Sequence, residues 1–392
     1  FDLVSGKERK TTGSYYTPHE LVAELIKSAL EPVVYTRLKD SGDPQAELLS
    51  IKVCDPAAGS GHFLLAAARY LARELARLRS GEDEPSPRET RHALREVIAH
   101  CIYGVDKNPL AVELCKVSLW IEGHEAGKPL SFLDHRIKCG DSLIGVMDID
   151  VIMDEGIPDD AFKAVQADDK SLAAQLKRRN KSFASREQQS LFAVKDSDLT
   201  ELSKQFKELD LIDDDDLSSR KRKEEAYKNI LGHEGLWSRE YTICCLWTAP
   251  FFTPITEENR KKNRLITNDE FFRYIQTGDL PKNVIAYAQE LALDHRFFHW
   301  PVEFPEVFEK GGFDCVLGNP PWERIKLQEK EFFAAKDPDI AGAANKSERE
   351  RLIKQLKDNN PNLLKEFESA KYESSANGRF IRESGRDRKS VV

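Results

Sequence analysis

The chain has 392 residues, of which 40% are hydrophobic and 32% are charged. This composition is typical of a folded protein with a buried core, and it excludes disordered and fibrous classes. Acidic residues outnumber lysine and arginine by 67 to 59, for a net charge of −8, which excludes a uniformly basic nucleic-acid-binding protein but not a local basic groove. No apolar run approaches the ~18 residues of a membrane span, so no membrane contact is predicted.

The seven cysteines are odd in number and form no Cys-x-x-Cys pair, so neither a disulfide framework nor a zinc site is indicated. Four lie at or beside short apolar runs and are predicted to be buried, reduced thiols: Cys54, Cys101, Cys139 and Cys315. We therefore expect a cytoplasmic protein. The chain opens with Phe1 and shows no signal peptide, so we expect it to be part of something longer.

Short apolar runs that end in small or acidic residues are predicted to be buried strands. They span 51–55, 101–106, 137–141 and 313–319. Helical patterns separate the first three runs. These patterns span 63–78, 87–100 and 110–122. Alternating strands and helices predict an α/β fold with a doubly wound, mostly parallel sheet.

An N-terminal helix is predicted to begin at Thr17-Pro-His-Glu20, which is typical of a capping box with proline at the first helical position. The charge-rich stretch 148–284 is interpreted as a mainly helical insertion that interrupts the sheet. Like-charge blocks within 213–223 predict a mobile segment. Basic clusters at 177–181 and 220–223 could contact phosphate, but the flanking acids favour solvated helix faces.

The strongest local signal is the loop Asp55-Pro-Ala-Ala-Gly59-Ser-Gly61-His-Phe63, between a predicted strand and a predicted helix. Its glycines let the backbone approach a ligand, and the helix N-terminus offers free amides. A dinucleotide site is disfavoured, because Leu64 replaces the third glycine of G-x-G-x-x-G and the next acidic strand end, Asp106, lies far beyond the usual spacing of about 20 residues. A tight turn without a ligand is the alternative, although it would not need the Asp55 carboxylate.

Aspartates end three successive predicted strands, at Asp55, Asp106 and Asp141. Asp106 can accept from both hydroxyls of a ribose, and Asp141 could accept from an exocyclic amine. Taken singly, each is more typical of a helix N-cap. Together they predict a ligand site, because ligands of open α/β sheets bind at the carboxyl ends of the strands.

The fourth predicted strand ends in Gly318-Asn319-Pro320-Pro321-Trp322. Two prolines fix an extended turn and remove two N–H donors, so the Asn319 side-chain oxygen and the Pro320 carbonyl remain as acceptors. If these two acceptors bind the two hydrogens of an exocyclic aromatic amine, the amine nitrogen moves towards tetrahedral geometry. Its lone pair is then directed towards an electrophile. Trp322 could stack on a base. The alternative is a proline-rich turn with a core tryptophan.

These residues resemble the S-adenosylmethionine-dependent N6-adenine DNA methyltransferases, with motifs in the order known as γ. The segment Gly13-Ser-Tyr-Tyr16-Thr17-Pro18 resembles the N-terminal cofactor motif, and the loop 55–63 resembles the methionine-binding motif. Asp106 is similar to the acid that binds the ribose of the cofactor, and Asp141 is similar to the residue that accepts from its adenine amine. The segment 319–322 is similar to the catalytic loop. The run 300–308 resembles large phage-defence methyltransferases, including type IIG restriction–modification fusions and the BREX and DISARM systems.

The resemblance implies a Rossmann-like methyltransferase fold, S-adenosyl-L-methionine as cofactor, double-stranded DNA as partner, other restriction or defence subunits as further partners, and no metal. The implied cofactor-binding residues are Tyr16, Thr17, Pro18, Asp55, Pro56, Ala57, Gly59, Gly61, Phe63, Asp106, Lys107, Asp141 and Ser142. The implied catalytic residues are Asn319, Pro320, Pro321 and Trp322. In that family the adenine is flipped out of the duplex and methylated by direct displacement. Cytosine-C5 chemistry would need a Pro-Cys nucleophile, which this chain lacks, and N4-cytosine enzymes usually carry serine in place of Asn319.

The implied domains are a cofactor-binding half (1–147), the helical insertion (148–284), the catalytic strand and loop (285–330) and a charged C-terminal segment (331–392). That last segment is too short and polar for three further strands and a target-recognition domain, so we expect a truncated, cleaved or partly ordered fragment.

Two alternative functions stay open. One is a protein methyltransferase for glutamine side chains, whose loop is also Asn-Pro-Pro-aromatic, although the Tyr-Tyr-Thr-Pro segment and the long insertion argue against it. The other is an inactive cofactor-binding module for assembly or DNA sensing.

Overall fold

The computed structural model describes residues 17–165, 168–187, 198–232, 235–320 and 326–384. These residues group into two compact units. The first unit draws on 1–149, 196–244 and 293–321, and the second on 150–195, 245–292 and 322–392. Each unit therefore combines three separate stretches of the chain, and the sequence-based domain boundaries at 147, 284 and 330 stay predictions.

Four parallel strands form one sheet in the first unit, in the spatial order β3-β2-β1-β4. They are β1 (Val53–Asp55), β2 (Ile102–Asp106), β3 (Ile137–Cys139) and β4 (Cys315–Val316). The predicted α/β fold is confirmed, and each of the four predicted strands is present. Each strand is shorter than the apolar run that predicted it, because the ends of the runs belong to the flanking helices and loops.

Both faces of the sheet are covered, which explains why its strands read as short apolar runs. Val53 and Ile102 belong to the larger core, together with the helix that follows β1. Cys54, Tyr103 and Val105 alternate with them in sequence and pack in a second core on an aromatic cluster. That cluster consists of Phe298, Trp300 and Phe304, with Val307 beside them.

The helices of the first unit confirm the three predicted helices between the strands. The first unit contains the helices His19–Leu25, Glu31–Leu38, Pro44–Ser50, His62–Ser80, Pro87–Cys101, Pro109–Glu122, Leu199–Asp210, Leu217–Ile230, Trp300–Glu303 and Pro305–Phe308, and the π-helical turn Ile26–Leu30. Three further helices have residues in both units. They are Ile149–Glu155, Leu236–Thr248 and Lys282–His295.

The N-terminal helix is present, but the predicted capping box is wrong. The helix begins at His19, with Pro18 in the N-cap position and no side-chain hydrogen bond at the cap. The hydroxyl of Thr17 instead accepts a hydrogen bond from a distant part of the chain, described below. The helix then runs through the π-helical turn into Glu31–Leu38.

The segment predicted to be mobile, 213–223, forms a capped helix start and buried contacts instead. The Asp216 carboxylate accepts from backbone N–H groups at the start of the helix Leu217–Ile230. Asp214 is buried 3.4 Å from the Arg95 guanidinium, and Lys223 is also buried. Opposite charges from elsewhere in the fold therefore offset the like-charge repulsion that suggested mobility.

A buried ion pair attaches the helix Leu199–Asp210 to the sheet. Arg136, which precedes β3, is fully buried and lies 2.7 Å from the Asp210 carboxylate. The Arg136 guanidinium also lies over the Tyr103 ring, 4.6 Å from its centroid. The Tyr103 hydroxyl donates to Glu306 at 3.0 Å. Residues within the predicted insertion are thus part of the unit that holds the sheet.

The second unit consists of helices, with no β-strand among its described residues. Apart from the shared helices it contains Asp159–Phe162, Lys170–Glu187, Ala249–Phe251, Glu257–Lys261, Asn268–Thr277, Glu329–Phe333, Pro338–Gly342, Lys346–Asn359 and Pro361–Glu383, the first and third being 3-10 helices. Phe333, Phe367 and neighbouring aliphatic residues form an apolar cluster in its C-terminal helices. Lys177 and Arg179 of the basic cluster are half exposed and pair with acids.

Within the described ranges, no helix is both long enough and apolar enough to cross a bilayer. All seven cysteines lie among the described residues, and none of them forms a disulfide there. Six of them are buried. Cys139 is exposed, contrary to the prediction, because it ends β3 at the edge of the sheet.

Candidate functional site

The strand order of the sheet reverses between β1 and β4. From β1 the chain adds β2 and then β3 on one side, while β4 pairs with the other side of β1. This reversal is a topological switch point, where open α/β sheets bind ligands at the carboxyl ends of their strands. Asp55 and Asp106 end neighbouring strands, and Asp141 lies two residues beyond β3. The structure therefore brings the three aspartates to one edge of the sheet.

Backbone hydrogen bonds from the glycine loop hold two of these carboxylates. The Ala57 N–H donates to Asp55 Oδ1 at 2.9 Å, and the Gly59 N–H donates to Asp106 Oδ2 at 2.8 Å. Asp106 Oδ1 accepts from the Asn108 N–H at 2.7 Å. Neither Asp55 nor Asp106 is a helix N-cap, because Gly61 and Asn108 occupy those positions in the adjacent helices.

The loop can adopt its shape because two of its positions lack a side chain. Gly59 and Gly61 have φ values of 54° and 87°, in the region that glycine adopts without strain. A Cβ at Gly61 would lie 2.9 Å from the Cys115 Sγ. The chain then enters the helix His62–Ser80, and Phe63 in its first turn is buried in the core. Pro56 and Ala57 are half-buried on the loop itself.

Asp55 is the most unusual group of the site. Only 1% of the residue is exposed, and its Oδ2 atom has no hydrogen-bond partner among the residues that the structure describes. The pKa of Asp55 is raised to about 7, chiefly by burial and also by the charge of Asp106, while the hydrogen bond from the Ala57 N–H acts in the opposite direction. A buried carboxylate oxygen without a partner is costly to keep charged, so the site suits a cationic ligand group.

Asp141 already has a partner, which distinguishes it from Asp55. The Lys107 ammonium lies 3.0 Å from Asp141 Oδ2, and the Leu143 N–H donates to Oδ1 at 3.1 Å. Lys107 is exposed, and its carbonyl accepts from the Arg296 guanidinium. The charge of Asp141 is therefore compensated from the solvent side of the site.

A segment that the sequence patterns did not predict runs beside Asp141. Phe297 forms a parallel bridge with Asp141, and the N–H groups of Phe298 and Trp300 donate to the carbonyls of Ile144 and Val146, at 2.7 and 3.0 Å. The Trp300 indole N–H also donates to the Ser142 carbonyl at 3.1 Å. The run of aromatic residues at 297–300 was the available signal, but only the fold shows its partner.

The loop after β4 lies against the loop after β1. The Leu317 N–H donates to the Cys54 carbonyl at 2.9 Å, and a Cβ at Gly318 would lie 2.7 Å from Asp55 Oδ1. Asn319 and Pro320 follow and are exposed. The Asn319 carboxamide nitrogen donates to the hydroxyl of Thr17 at 3.4 Å.

Some predicted site residues cannot be placed. Tyr16, Pro321 and Trp322 lie outside the described residues. Thr17 is buried, and Pro18 is exposed at the start of the N-terminal helix. The described part of the site therefore contains Thr17, the glycine loop, the three aspartates and the first two residues of the Asn-Pro-Pro-Trp loop.

Family comparisons agree with this geometry. A family described as N-6 DNA Methylase matches residues 3–154, which contain β1 to β3 and the glycine loop. N-6 DNA methylases use S-adenosylmethionine. A second family, described as Eco57I restriction-modification methylase, matches residues 100–367. That match covers more than half of the chain, and the chain belongs to the Eco57I restriction-modification methylase family.

One curated relative extends well beyond this chain. A protein of Methanocaldococcus jannaschii, named as a type II restriction enzyme and methyltransferase, is 24% identical over 387 residues. The match covers 86% of this chain and 30% of that protein, so the chain spans about 30% of the length of its relative. No solved structure matches the chain.

The residues of the site fit S-adenosylmethionine. The cofactor carries a sulfonium and an ammonium group, and Asp55 Oδ2, which accepts no hydrogen bond from any described residue, offers a buried negative charge to a cation. Asp106 lies at the adjacent strand end, where an acidic residue can accept from a ribose.

Substitution of Gly61 by alanine should weaken cofactor binding at least tenfold, because the new Cβ meets Cys115 and displaces the loop. The matched control is Gly81→Ala. Gly81 also has a left-handed φ, of 71°, but has open space around it. Both variants should lose about 1–2 kcal/mol of folding free energy through backbone strain. Calorimetric titration with S-adenosylmethionine and denaturant unfolding would measure both effects, and equal cofactor affinity in the two variants would contradict the role given to Gly61.

Proposed function

We propose that this chain transfers a methyl group from S-adenosylmethionine to the N6 amine of a flipped-out adenine in DNA. The observation that carries the proposal is the position of the loop after β4, in which Gly318, the residue before Asn319, packs against the buried carboxylate of Asp55. A carboxamide and a buried carboxylate at one switch point would put a group that holds the target amine close to a group that holds the sulfonium.

The residues of β1 and β2 would bind the cofactor, which supplies an electrophilic methyl group. Asp55 would pair with a positive group of the cofactor, and Asp106 would accept from its ribose hydroxyls. Asp141, held by Lys107, would accept from the amine of the cofactor's adenine. Thr17 and the loop 55–63 would complete the site, together with Tyr16 and Ser142.

The residues after β4 would hold the target amine. The Asn319 oxygen and the Pro320 carbonyl would each accept one hydrogen of the adenine N6, which draws the lone pair out of conjugation and towards the methyl donor. One of these hydrogens leaves as a proton after transfer. Pro321 would keep the turn rigid and Trp322 would stack on the base, which is worth about 1–3 kcal/mol.

We further propose that the protein acts on double-stranded DNA in the cytoplasm as part of a bacterial restriction–modification or phage-defence system. The family match supports the restriction–modification setting. The γ order of the motifs, with cofactor residues before the catalytic loop, supports the kinship with type IIG, BREX and DISARM methyltransferases.

Transfer of a labelled methyl group tests the proposal against its alternatives. Full-length protein and labelled S-adenosylmethionine would be incubated with unmethylated DNA or with a protein release factor. We expect label in the DNA alone. Label in a glutamine of the release factor would favour the protein methyltransferase, and cofactor binding without transfer to either substrate would favour an inactive module.

A further inference from the structure

Arg296 lies where the ends of β2 and β3 separate. The backbone ladder of these strands extends to a hydrogen bond from the Gly140 N–H to the Asp106 carbonyl, at 3.0 Å. One residue further along, both strand ends turn to Arg296. The Asp141 N–H donates to the Arg296 carbonyl at 2.7 Å, and the Arg296 guanidinium donates to the Lys107 carbonyl. Arg296 therefore joins the two strand ends through its backbone and its side chain together.

A second contact and the backbone conformation fix the place of the Arg296 side chain. The Nη1 atom that donates to the Lys107 carbonyl also lies 3.3 Å from the Sγ atom of Cys139, the last residue of β3. The φ value of Arg296 is 56°, in the left-handed region that side chains other than glycine rarely adopt. A conformation of this kind costs about 1–3 kcal/mol and persists where the surrounding structure fixes it. The contacts of Arg296 with both strand ends are the groups that hold it here.

The contact with Lys107 acts on the Asp106 carboxylate through one peptide group. The carbonyl of Lys107 and the N–H of Asn108 belong to the same planar trans peptide, so they point in opposite directions. The Arg296 guanidinium holds the carbonyl, and the N–H on the other side donates to Asp106 Oδ1 at 2.7 Å. A positive charge on the carbonyl also polarises the peptide and strengthens its N–H as a donor. The orientation of the Asp106 carboxylate therefore depends on Arg296.

We infer that Arg296 is a positioning residue that orients the Asp106 carboxylate for the ribose hydroxyls of the cofactor. One N–H donates to each oxygen of Asp106, from Gly59 and from Asn108, and each oxygen keeps a second lone pair for a ligand hydroxyl. Loss of the guanidinium would free the peptide after Lys107 to rotate, and the directions of those lone pairs would change with it. The inference rests on the proposed function, since it gives Arg296 a part in holding S-adenosylmethionine.

Arg296→Gly removes the guanidinium and should still fold, because glycine adopts a left-handed φ without strain. The matched control is Asp40→Gly. Asp40 belongs to the same unit, is exposed after the helix Glu31–Leu38 and has a φ of 61°. The control therefore makes the same change of backbone freedom without removing a contact at the ends of β2 and β3.

Calorimetric titration of the full-length protein with S-adenosylhomocysteine and with its 2′-deoxyribose analogue would test the inference. The unaltered protein should bind the ribose compound at least tenfold more tightly, the effect of one hydrogen bond to a charged group. In Arg296→Gly, the affinity for S-adenosylhomocysteine should fall roughly tenfold and the preference for ribose should fall below threefold, because the same hydrogen bond is lost. Asp40→Gly should keep both the affinity and the preference.

A double-mutant cycle identifies the residue through which Arg296 acts. In an Asp106→Asn background, Arg296→Gly should cause no further loss of the ribose preference. An unchanged preference in Arg296→Gly, or an equal loss of affinity for both compounds, would overturn the inference while the proposed function stands. Absence of a ribose preference in the unaltered protein, or an equal change in Asp40→Gly, would overturn it as well. Failure of the unaltered protein to methylate DNA would instead overturn the proposed function itself.

Discussion

Replacement of Asn319 by alanine should lower the rate of methyl transfer by about 10²–10³-fold, the usual cost of removing one preorganised polar group from a transition state. The reason is that the carboxamide oxygen would no longer accept from the target amine. The cofactor dissociation constant should change less than threefold, because Asp55 and the glycine loop remain intact. Single-turnover transfer and calorimetric titration would measure the two quantities separately.

The matched control for this substitution is Asn229→Ala. Asn229 is exposed on the helix Leu217–Ile230 of the same unit, so its replacement should leave both quantities unchanged. Normal turnover of the Asn319→Ala protein would refute the assignment of the catalytic loop. A large loss of cofactor affinity would show that Asn319 belongs to the cofactor site.

Replacement of Asp55 by asparagine should act in opposite directions on binding and on stability. Asparagine keeps an oxygen for the Ala57 N–H but carries no charge. Cofactor affinity should therefore fall roughly 10- to 100-fold, as for the loss of a hydrogen bond to a charged group. Without the cofactor, the variant should unfold less readily than the unaltered protein, because it no longer has to bury a charged carboxylate.

The increase in the free energy of unfolding that Asp55→Asn causes should become larger as the pH rises. The pKa of Asp55 is raised from 3.8 to about 7 in the folded protein, so the folded state binds more protons than the unfolded state between these values. The stability of the unaltered protein relative to Asp55→Asn should then fall from about pH 4 to pH 7 and level off above it. The difference should be on the order of 4 kcal/mol at pH 8 and less than half of that at pH 5.

Denaturant unfolding of the two cofactor-free proteins at pH 5 and pH 8 would measure this difference. Asp279→Asn is the control, because Asp279 is exposed and its neutralisation should leave stability and cofactor affinity unchanged. A pH-independent difference between the Asp55 variant and the unaltered protein would contradict the buried-carboxylate interpretation. Unchanged cofactor affinity would remove Asp55 from the binding site.

The sheet, and the edge at which its three aspartates meet, could be predicted from the sequence because their signals are local. A buried strand such as Ile102–Asp106 appears in the sequence as a short apolar run. Its acidic last residue marks the edge of the sheet at which ligands bind, and neither signal depends on distant residues. The glycine loop is readable for the same reason, since its backbone needs glycine at fixed positions. The roles of the individual site residues stay predictions.

The errors arose where distant residues override local preference. The Thr17 hydroxyl binds Asn319 instead of capping a helix, and the charged block 213–223 is ordered by partners such as Arg95. The pairing of Phe297 with Asp141 joins residues far apart in sequence. Periodicity and spacing carry no information on such contacts, which depend on the complete fold.

The position of the methyl group on DNA is the most direct test of the account. Full-length protein would be incubated with labelled S-adenosylmethionine and unmethylated mixed-sequence DNA, and the DNA digested to nucleosides and separated. We predict label in N6-methyladenine alone from the unaltered protein, and at least a hundredfold less from Asn319→Ala under the same conditions. Label in methylcytosine, or equal N6-methyladenine from both proteins, would contradict the central claim that the Asn319 loop directs transfer to adenine N6.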